Sequence, residues 1–547
     1  MGLTRSRWPM FAALVAGFVA VATLGYVLLT DPEGEAVPAS GGTYVEGVTR
    51  MPDRINPLYA WANPTDRNIA ALVFSGLVRL GPDGTPQPDL AERWEITASG
   101  AAYVFHLRRG VAWQDDPAQP VDADDVLFTF DAISDPGFRG DPELAALMDG
   151  VTVTARDAYT VEFRLEQPYA PFLAYLSVGI LPEHLLRNLD ADDLFNDPFN
   201  ANPIGSGPYR LASRSEQGIA LASNPTYHFG PPHVSRIEFR LYADDGELAE
   251  ALRTGAIDGA LLSPSASRSD ITFLRETELF ALHELSETAL IIAYFDTRSA
   301  VFSDPGVRRA LALSTDVRGL IDGVTGGAGT PATTGIPPGS WAAGELERPP
   351  FDPGQAARIL ETAGWPRGAD GVRTKLGARL SFGLSAPDDG PSLELAEQLA
   401  RQWRLAGAEV TVLPRDAGTY VDDVLLARDF EAAVAEIDYG YDPDPYPFWH
   451  STQALPPGRN IASFSDAGMD DALERARQTT DAERRMELYG EFGALFLELT
   501  PSVPLYHPTW TYVQANALKG FAGSLLFTPA SRFYNVHQWY LRTRTVE

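Results

Sequence analysis

Apolar side chains recur at every second position in three short stretches of the chain, 103–107, 159–165 and 237–241. This spacing is typical of β-strands that bury one face. Patterns with helical spacing lie between and after these stretches. The interleaving predicts a body of mixed α and β structure.

Side chains that cap free backbone N–H groups mark several helix starts. Asp122 stands ahead of an apolar stripe, and Asp304 stands directly before a proline, which is favoured at the first helical position. Thr480 and Glu483 have the spacing of a capping box, and Pro501 ends the helix that they open. We find no internal repeat or heptad run, so we expect one compact, multi-lobed body.

The uncharged run 10–29 follows Arg5 and Arg7 near the start of the chain. As a helix it would extend ~30 Å, the thickness of a bilayer core. This length favours an uncleaved single-pass anchor, with both arginines in the cytoplasm and the bulk of the chain outside the cell. The alternative is a cleaved signal peptide, with the small residues at 37–39 as the cleavage site.

Residues 31–42 contain Pro, Gly, Ser and acids without apolar periodicity. Such a composition predicts a linker between the anchor, 1–30, and the body. We expect the folded body to begin near Thr43.

Composition narrows the classes of function. Of the 547 residues, 45% are hydrophobic and 10% are aromatic, as in a globular protein with a large core. Asp and Glu number 73 against 43 Lys and Arg, and the net charge of −30 disfavours binding of nucleic acid, which needs clustered cations. Because there is no cysteine, disulfides, thiolate metal sites and cysteine nucleophiles are excluded.

No catalytic motif is found. The eight histidines include no pair with the spacing of a metal-binding helix. The glycines at 326–329 are not followed by the Lys-Ser/Thr of a phosphate-binding loop, and Ser206 lacks the spacing of a nucleophile elbow. We therefore expect no cofactor, no metal and no enzymatic activity.

One stretch in the last third of the chain, 437–449 (IDYGYDPDPYPFW), combines acids, rigid turns and aromatic residues. Asp-Pro pairs fix turn conformations, while Tyr and Trp offer flat contact area with a polar edge. We call this stretch the recognition loop. The alternative is a surface turn whose aromatic side chains pack into the body.

The order of several segments resembles that of the family 5 extracellular solute-binding proteins, the peptide and dipeptide receptors of ATP-driven importers. Each segment is weak alone, but together they extend over almost the whole chain. The segments are 55–57 (INP), 74–78 (FSGLV), 90–95 (LAERWE), 103–113 (YVFHLRRGVAW), 123–128 (ADDVLF), 203–209 (PIGSGPY), 255–258 (GAID), 304–311 (DPGVRRAL), the recognition loop, 501–506 (PSVPLY) and 519–520 (KG).

The resemblance implies an α/β, two-lobed periplasmic-binding-protein-like fold (type II, cluster C) with an additional inserted subdomain. One N-terminal transmembrane helix would precede it. The crossings between lobes near 288 and 505 would form the hinge. The expected units are lobe I at 43–85, 204–288 and 505–547, the inserted subdomain at 86–203, and lobe II at 289–504.

The resemblance also implies a function. The protein would capture di- or oligopeptides by lobe closure outside the cell and deliver them, as a monomer, to the permease subunits of an ABC transporter. The alternative is the same fold with a non-peptide solute, such as a nickel chelate, an oligosaccharide or another nutrient. A surface hydrolase is the less favoured alternative.

In relatives, an aspartate in the segment equivalent to Asp438 and Tyr439 binds the α-ammonium group of the peptide, so the resemblance assigns this role to Asp438 and makes Tyr439 a further candidate for ligand binding. The alternative is that Asp438 caps a turn, because the loop is one residue longer than the common family form. The other candidates are three aromatic residues that would line the cleft and an arginine that would bind the ligand carboxylate, each with a purely structural role as the alternative. They are Tyr441, Trp449, Trp341 and Arg459.

Overall fold

The structure is a computed structural model, and it describes residues 35–523 and 525–546. The predicted membrane anchor lies outside these residues. Over the described part of the chain, no helix has both the length and the apolar character needed to cross a bilayer.

Strands and helices alternate along the chain, as the hydrophobic pattern predicts. The strands are β1 Glu35–Ala39, β2 Thr43–Val48, β3 Val78–Leu80, β4 Pro86–Pro88, β5 Ala91–Ile96, β6 Ala102–Leu107, β7 Thr152–Asp157, β8 Thr160–Arg164, β9 Tyr209–Ser215, β10 Gly218–Ser223, β11 Arg236–Leu241, β12 Gly259–Leu262, β13 Phe280–Glu287, β14 Leu290–Phe295, β15 Gly329–Pro331, β16 Thr374–Lys375, β17 Ala378–Arg379, β18 Ser381–Pro387, β19 Glu409–Arg415, β20 Ala432–Ile437, β21 Ser502–Ala515, β22 Leu525–Leu526 and β23 Arg542–Val546. The α-helices are α1 Pro64–Val73, α2 Ala123–Ser134, α3 Pro142–Met148, α4 Phe172–Tyr175, α5 Glu183–Leu186, α6 Ala191–Asn196, α7 Asp245–Arg253, α8 Arg268–Glu276, α9 Pro305–Leu313, α10 Val317–Val324, α11 Pro353–Thr362, α12 Gly390–Ala406, α13 Tyr446–Trp449, α14 Ala467–Gln478 and α15 Ala482–Leu499.

The largest sheet has 13 strands, and its path runs β19-β18-β20-β14-β21-β12-β2-β11-β10-β9. The long strand β21 joins its two parts. Residues 502–506 of β21 pair with β14, whereas residues 509–515 pair with β13 and residues 511–514 also with β12. One strand therefore continues through the predicted crossing near residue 505.

A separate four-stranded antiparallel sheet, β5-β6-β8-β7, occupies the region predicted to be the inserted subdomain. Helix α2 packs on it, and the rings of Phe130 and Phe163 meet edge to face at 4.9 Å. These two rings are fully buried. The apolar side chains of the alternating pattern in β6 and β8 are buried, and Val104 and Glu162 between them are buried as well.

The predicted strands are confirmed as parts of β6, β8 and β11, and two of the helix starts are confirmed. Asp122 takes part in a capping box, and Asp304 accepts a hydrogen bond from the first turn of α9. The predicted cap at Thr480 is wrong. Asp481 caps α15 instead and accepts a hydrogen bond from the backbone N–H of Arg484 at 3.0 Å, because a carboxylate one residue later reaches the free N–H groups.

Part of the predicted linker has regular structure. Residues 35–39 form β1, which pairs antiparallel with β23 near the other end of the chain. A segment without apolar periodicity is held here by backbone hydrogen bonds, which the hydrophobic pattern does not report.

An ion pair lies in the core that surrounds β2. Arg532 Nη2 is 2.8 Å from Glu46 Oε1, and the two side chains are 1% and 0% exposed. The hydroxyl of Tyr44 donates to Glu46 Oε2 at 3.0 Å, and Arg532 Nη1 donates to Asn68 Oδ1 at 3.0 Å. These bonds tie β2 and α1 to the chain that follows β22.

We expect Arg532→Met to lower the free energy of unfolding by roughly 3–5 kcal/mol, because Glu46 would be left as an unpaired buried charge. The double variant with Glu46→Gln should recover part of this loss. Urea-induced unfolding followed by tryptophan fluorescence gives the measurement.

The matched control is Arg93→Met, which breaks an ion pair with Glu95 at the surface and should cost only about 0–1 kcal/mol. Equal losses in the two single variants would contradict the assignment.

Candidate binding cleft

A cavity of about 230 Å³ lies where the recognition loop meets α1, β3 and the chain at 527–537. The loop contributes Tyr441 to its wall, and the ring of Tyr441 meets that of Tyr175 at 5.8 Å. Aromatic surface of this kind is typical of a pocket for a small ligand. The aromatic lining residues are Trp61, Phe74, Tyr175, Tyr227, Tyr441, Phe527, Phe533, Tyr534 and His537.

Gly76, within the FSGLV segment, brings two walls of the cavity together. Its backbone forms an isolated β-bridge with that of Gly179. A Cβ at position 76 would lie 2.6 Å from the carbonyl oxygen of Ser177, too close for any side chain. The glycine of this segment is therefore required for the shape of the cavity.

Four charged side chains also line the cavity, Arg67, Arg79, Asp89 and Asp141. Asp89 is buried, and its Oδ1 lies 2.7 Å from His228 Nε2. Asp141 caps α3, and burial raises the pKa of its carboxyl group. Neither arginine forms an ion pair within the described residues, so both guanidinium groups remain available.

Asp438 directly follows β20, and its side chain is exposed. Its Oδ1 accepts a hydrogen bond from the backbone N–H of Gly440 at 2.8 Å, so the carboxylate caps a turn. Its Oδ2 accepts no hydrogen bond from any described residue. The cap therefore leaves one oxygen free, three residues before Tyr441.

Two further carboxylates, Glu287 and Glu436, lie close to Asp438. Glu287 Oε2 accepts a hydrogen bond from Trp510 Nε1 at 3.0 Å. Burial raises the pKa of Glu287 to about 7, and the charges of Glu436 and Asp438 add to the shift. Glu436 stands two residues before Asp438, so the two side chains point to the same face of the sheet.

Two buried ion pairs fix the recognition loop to neighbouring helices. The sequence analysis did not predict them. The carboxylate of Asp442 binds the guanidinium of Arg485 at 2.7 and 3.0 Å. Asp444 Oδ2 lies 2.6 Å from Arg477 Nε. Both aspartates are buried, and their partners belong to α14 and α15. In the sequence, only the two aspartates inside an apolar, proline-rich loop indicated such pairs. Nothing in the sequence indicates which arginines bind them.

Two of the candidate residues lie in the core beside the loop. The ring of Tyr439 is buried and meets Phe448 at 5.1 Å. Trp449 is 1% exposed, and its ring meets that of Phe496 at 4.8 Å. Both side chains stabilise the loop by packing in the core.

The other two candidates join separate parts of the chain. The ring of Trp341 packs on the guanidinium of Arg485 at 4.7 Å, and its backbone N–H donates to the carbonyl oxygen of Asp83 at 2.9 Å. Arg459 Nη1 is 2.6 Å from Glu143 Oε1, and both side chains are exposed. Arg459 thus already has a carboxylate partner within the protein.

The fold has counterparts among solved structures and known sequences. It matches NikZ from Campylobacter jejuni in complex with Ni(L-His) with a TM-score of 0.69 and 26% identity, over 91% of this chain and 99% of that one. Protein XP55 of Streptomyces lividans is 30% identical over 543 residues, 96% of each chain. Di/tripeptide-binding protein 2 of Pseudomonas aeruginosa is 28% identical over 519 residues, 90% of this chain and 95% of the relative.

Fold and cleft together define a two-lobed α/β protein of the periplasmic-binding-protein class. The family model described as bacterial extracellular solute-binding proteins, family 5 Middle, matches residues 85–456. The chain belongs to this family, which confirms the resemblance found in the sequence. The family comprises the extracytoplasmic solute-binding proteins of ABC transporters and is not a family of enzymes.

The pKa of Glu287 predicts a pH dependence of stability. Between its ordinary value of 4.5 and its folded value of about 7, the folded protein binds a proton that the unfolded chain releases. Burying the ionised group therefore costs stability above pH 7, and this cost disappears as the pH falls toward 4.5. We expect Glu287→Gln to raise the free energy of unfolding at pH 8 by on the order of 1–3 kcal/mol and to leave it nearly unchanged at pH 5.

Thermal unfolding at the two pH values measures this difference. Glu284→Gln on the same strand removes an exposed carboxylate and serves as the control, with no such change between pH 5 and 8. A gain at pH 5 as large as that at pH 8 would show that burial of charge is not the cause.

Proposed function

We propose that this protein captures short peptides outside the cell by closure of its two lobes and delivers them to the permease of an ABC transporter. The observation that carries the proposal is the free carboxylate oxygen of Asp438, three residues before Tyr441 in the cavity wall. The name of the P. aeruginosa relative, a di/tripeptide-binding protein, supports peptides as the class of solute. A cavity of about 230 Å³ is smaller than the ~300–1,000 Å³ of pockets for drug-sized ligands, which favours a short peptide.

In this mechanism, Asp438 binds the α-ammonium group of the peptide. A cation bound beside Glu287 and Glu436 would favour the ionised form of both carboxyl groups, which strengthens the preference for a cation. Lobe closure removes water from the ion pair, which is worth more in the closed cleft than in solvent. The aromatic walls and bridging water accept different peptide side chains, because neither demands one particular group.

The proposed lobe boundaries and hinge are those derived from the sequence. The path of β21 through both parts of the large sheet supports a hinge near 288 and 505. The pair Arg459–Glu143 and the bond from Trp341 to Asp83 connect the proposed lobe II with the other units. A peptide shifts the equilibrium toward closure only by the contacts that it makes in the closed state alone.

We further propose that the body acts as a monomer at the outer face of the cell membrane. The charge-free run 10–29 would anchor it there, with Arg5 and Arg7 inside the cell. Tethering keeps the receptor close to its permease, which raises the effective concentration of each for the other.

Asp438→Asn should weaken the binding of a free dipeptide such as Ala-Phe at least about 30-fold, because the peptide ammonium loses a charged partner in a desolvated cleft. Isothermal titration calorimetry measures the dissociation constant. N-acetyl-Ala-Phe lacks the ammonium group and should bind the parent and the variant with similar, low affinity.

Asp116→Asn is the matched control. Asp116 is also exposed and also caps a turn through a backbone N–H two residues on, but it does not belong to the recognition loop. Its variant should bind Ala-Phe like the parent. Unchanged affinity of the Asp438 variant for every free peptide that binds the parent would refute the assigned role.

A non-peptide solute is the second candidate, and the similarity to NikZ, solved with Ni(L-His), favours it. This function predicts that Ni(L-His) binds the parent in the same calorimetric assay, while free peptides do not. Asp438→Asn would then have no peptide binding to weaken.

A further inference from the structure

Arg79 of β3 lies against two aromatic rings in the cavity wall. Its guanidinium carbon lies 4.3 Å from the ring centre of Phe229 and 4.8 Å from that of Tyr534. Stacking on aromatic rings holds a guanidinium by its faces and leaves its edge, which carries the N–H groups, free to bind an acceptor. The side chain is therefore oriented before any ligand arrives.

No acceptor fills that edge within the described part of the chain. Arg79 makes no side-chain hydrogen bond or ion pair with a described residue, and its Nε is buried without a partner. Arg415, Arg428 and Arg485 also have a buried Nε without a partner, but each donates through a terminal nitrogen, to Asp429, Leu425 and Asp442 respectively. Arg79 donates through none of its nitrogens to a described residue. Since buried donors are rarely left unpaired, the unfilled edge of Arg79 points to an acceptor from outside the protein.

The surroundings of Arg79 add positive charge. The guanidinium of Arg108 lies 5.0 Å from the same ring of Phe229. The carboxylate that lines this part of the cavity, Asp89, is buried and lies against His228 Nε2 at 2.7 Å. Arg79 of the cavity wall and the neighbouring Arg108 are therefore two guanidinium groups without an ion-pair partner among the described residues, in a protein whose net charge is −30.

We propose that Arg79 binds a carboxylate group of the solute that occupies the cavity. A planar guanidinium edge matches a carboxylate in two parallel hydrogen bonds. The inference rests on the proposed function in one respect, since a peptide would supply this carboxylate at its C-terminus. It moves carboxylate recognition from Arg459, which is paired with Glu143, to the aromatic wall of the cavity.

The experiment compares acids with their amides, which differ in charge but hardly in shape. Calorimetry with Ala-Phe and Ala-Phe amide, and thermal shift with phenylacetate and phenylacetamide, give the parent's preference. We expect the parent to bind the acid of a pair at least about 30-fold more tightly than the amide. Arg79→Gln should lose this preference, and Arg79→Lys should retain part of it.

Arg109→Gln is the matched control. The guanidinium of Arg109 also stacks on a ring, that of Tyr159 at 4.4 Å, and also lacks an ion-pair partner in the described residues, but it is exposed and lies outside the cavity. This variant should keep the parent's preference for acids. If Arg79→Gln fails to fold, the inference can still be tested. The acid and the amide are compared on the parent protein and on Arg79→Lys, and neither comparison needs the Gln variant.

The outcomes separate the inference from the proposed function. Binding of carboxylates other than peptides, with the preference lost in Arg79→Gln, would support the role of Arg79 while removing peptides as the solute. Equal binding of acid and amide by the parent would overturn the inference even if peptides bind. No binding of any acid in the panel by the parent would overturn it as well.

Discussion

The geometry of this protein depends on one strand. β21 gives its first residues to β14 and its last residues to β12 and β13, so both parts of the large sheet are attached to the same backbone. Two prolines, Pro504 and Pro508, stand within it, and the pairing with β14 shifts register at Ile291. Proline removes a ladder hydrogen bond, and a shift in register disturbs the ladder locally, so the strand resists bending least near its middle. In the proposed closure, rotation of one part against the other would therefore be confined to these few residues.

Charge is distributed unevenly over the binding region. The aspartates of the recognition loop are neutralised by arginines from neighbouring helices, which fixes the loop without using its free carboxylate. Asp438 keeps an oxygen unbound, and the guanidinium groups of Arg67 and Arg79 have no ion-pair partner among the described residues. Under the proposed function, these charges of both signs would suit a small zwitterion, because a solute with one charge would leave the opposite protein charge unpaired.

The sequence predicted the class of fold and the alternating strands, because these depend on local periodicity and on the order of segments. It also identified Asp438 and Tyr441, which lie at the turn and in the cavity wall. It could not predict the two ion pairs of the loop or the pair Arg532–Glu46, whose partners are separated by 33, 43 and 486 positions along the chain. Such contacts depend on distances in the folded state, and 73 acidic side chains offer too many combinations.

The pairing of β1 with β23 brings the two ends of the described chain together, with residue 35 directly opposite residue 546. Antiparallel neighbours of this kind lie about 5 Å apart and can be joined by a hairpin of two residues. The chain could thus be closed into a ring and reopened at a surface loop elsewhere without moving any strand of the large sheet. If that loop lies beside the cleft, circular permutation would place new termini there, where attached reporter groups would detect the proposed closure.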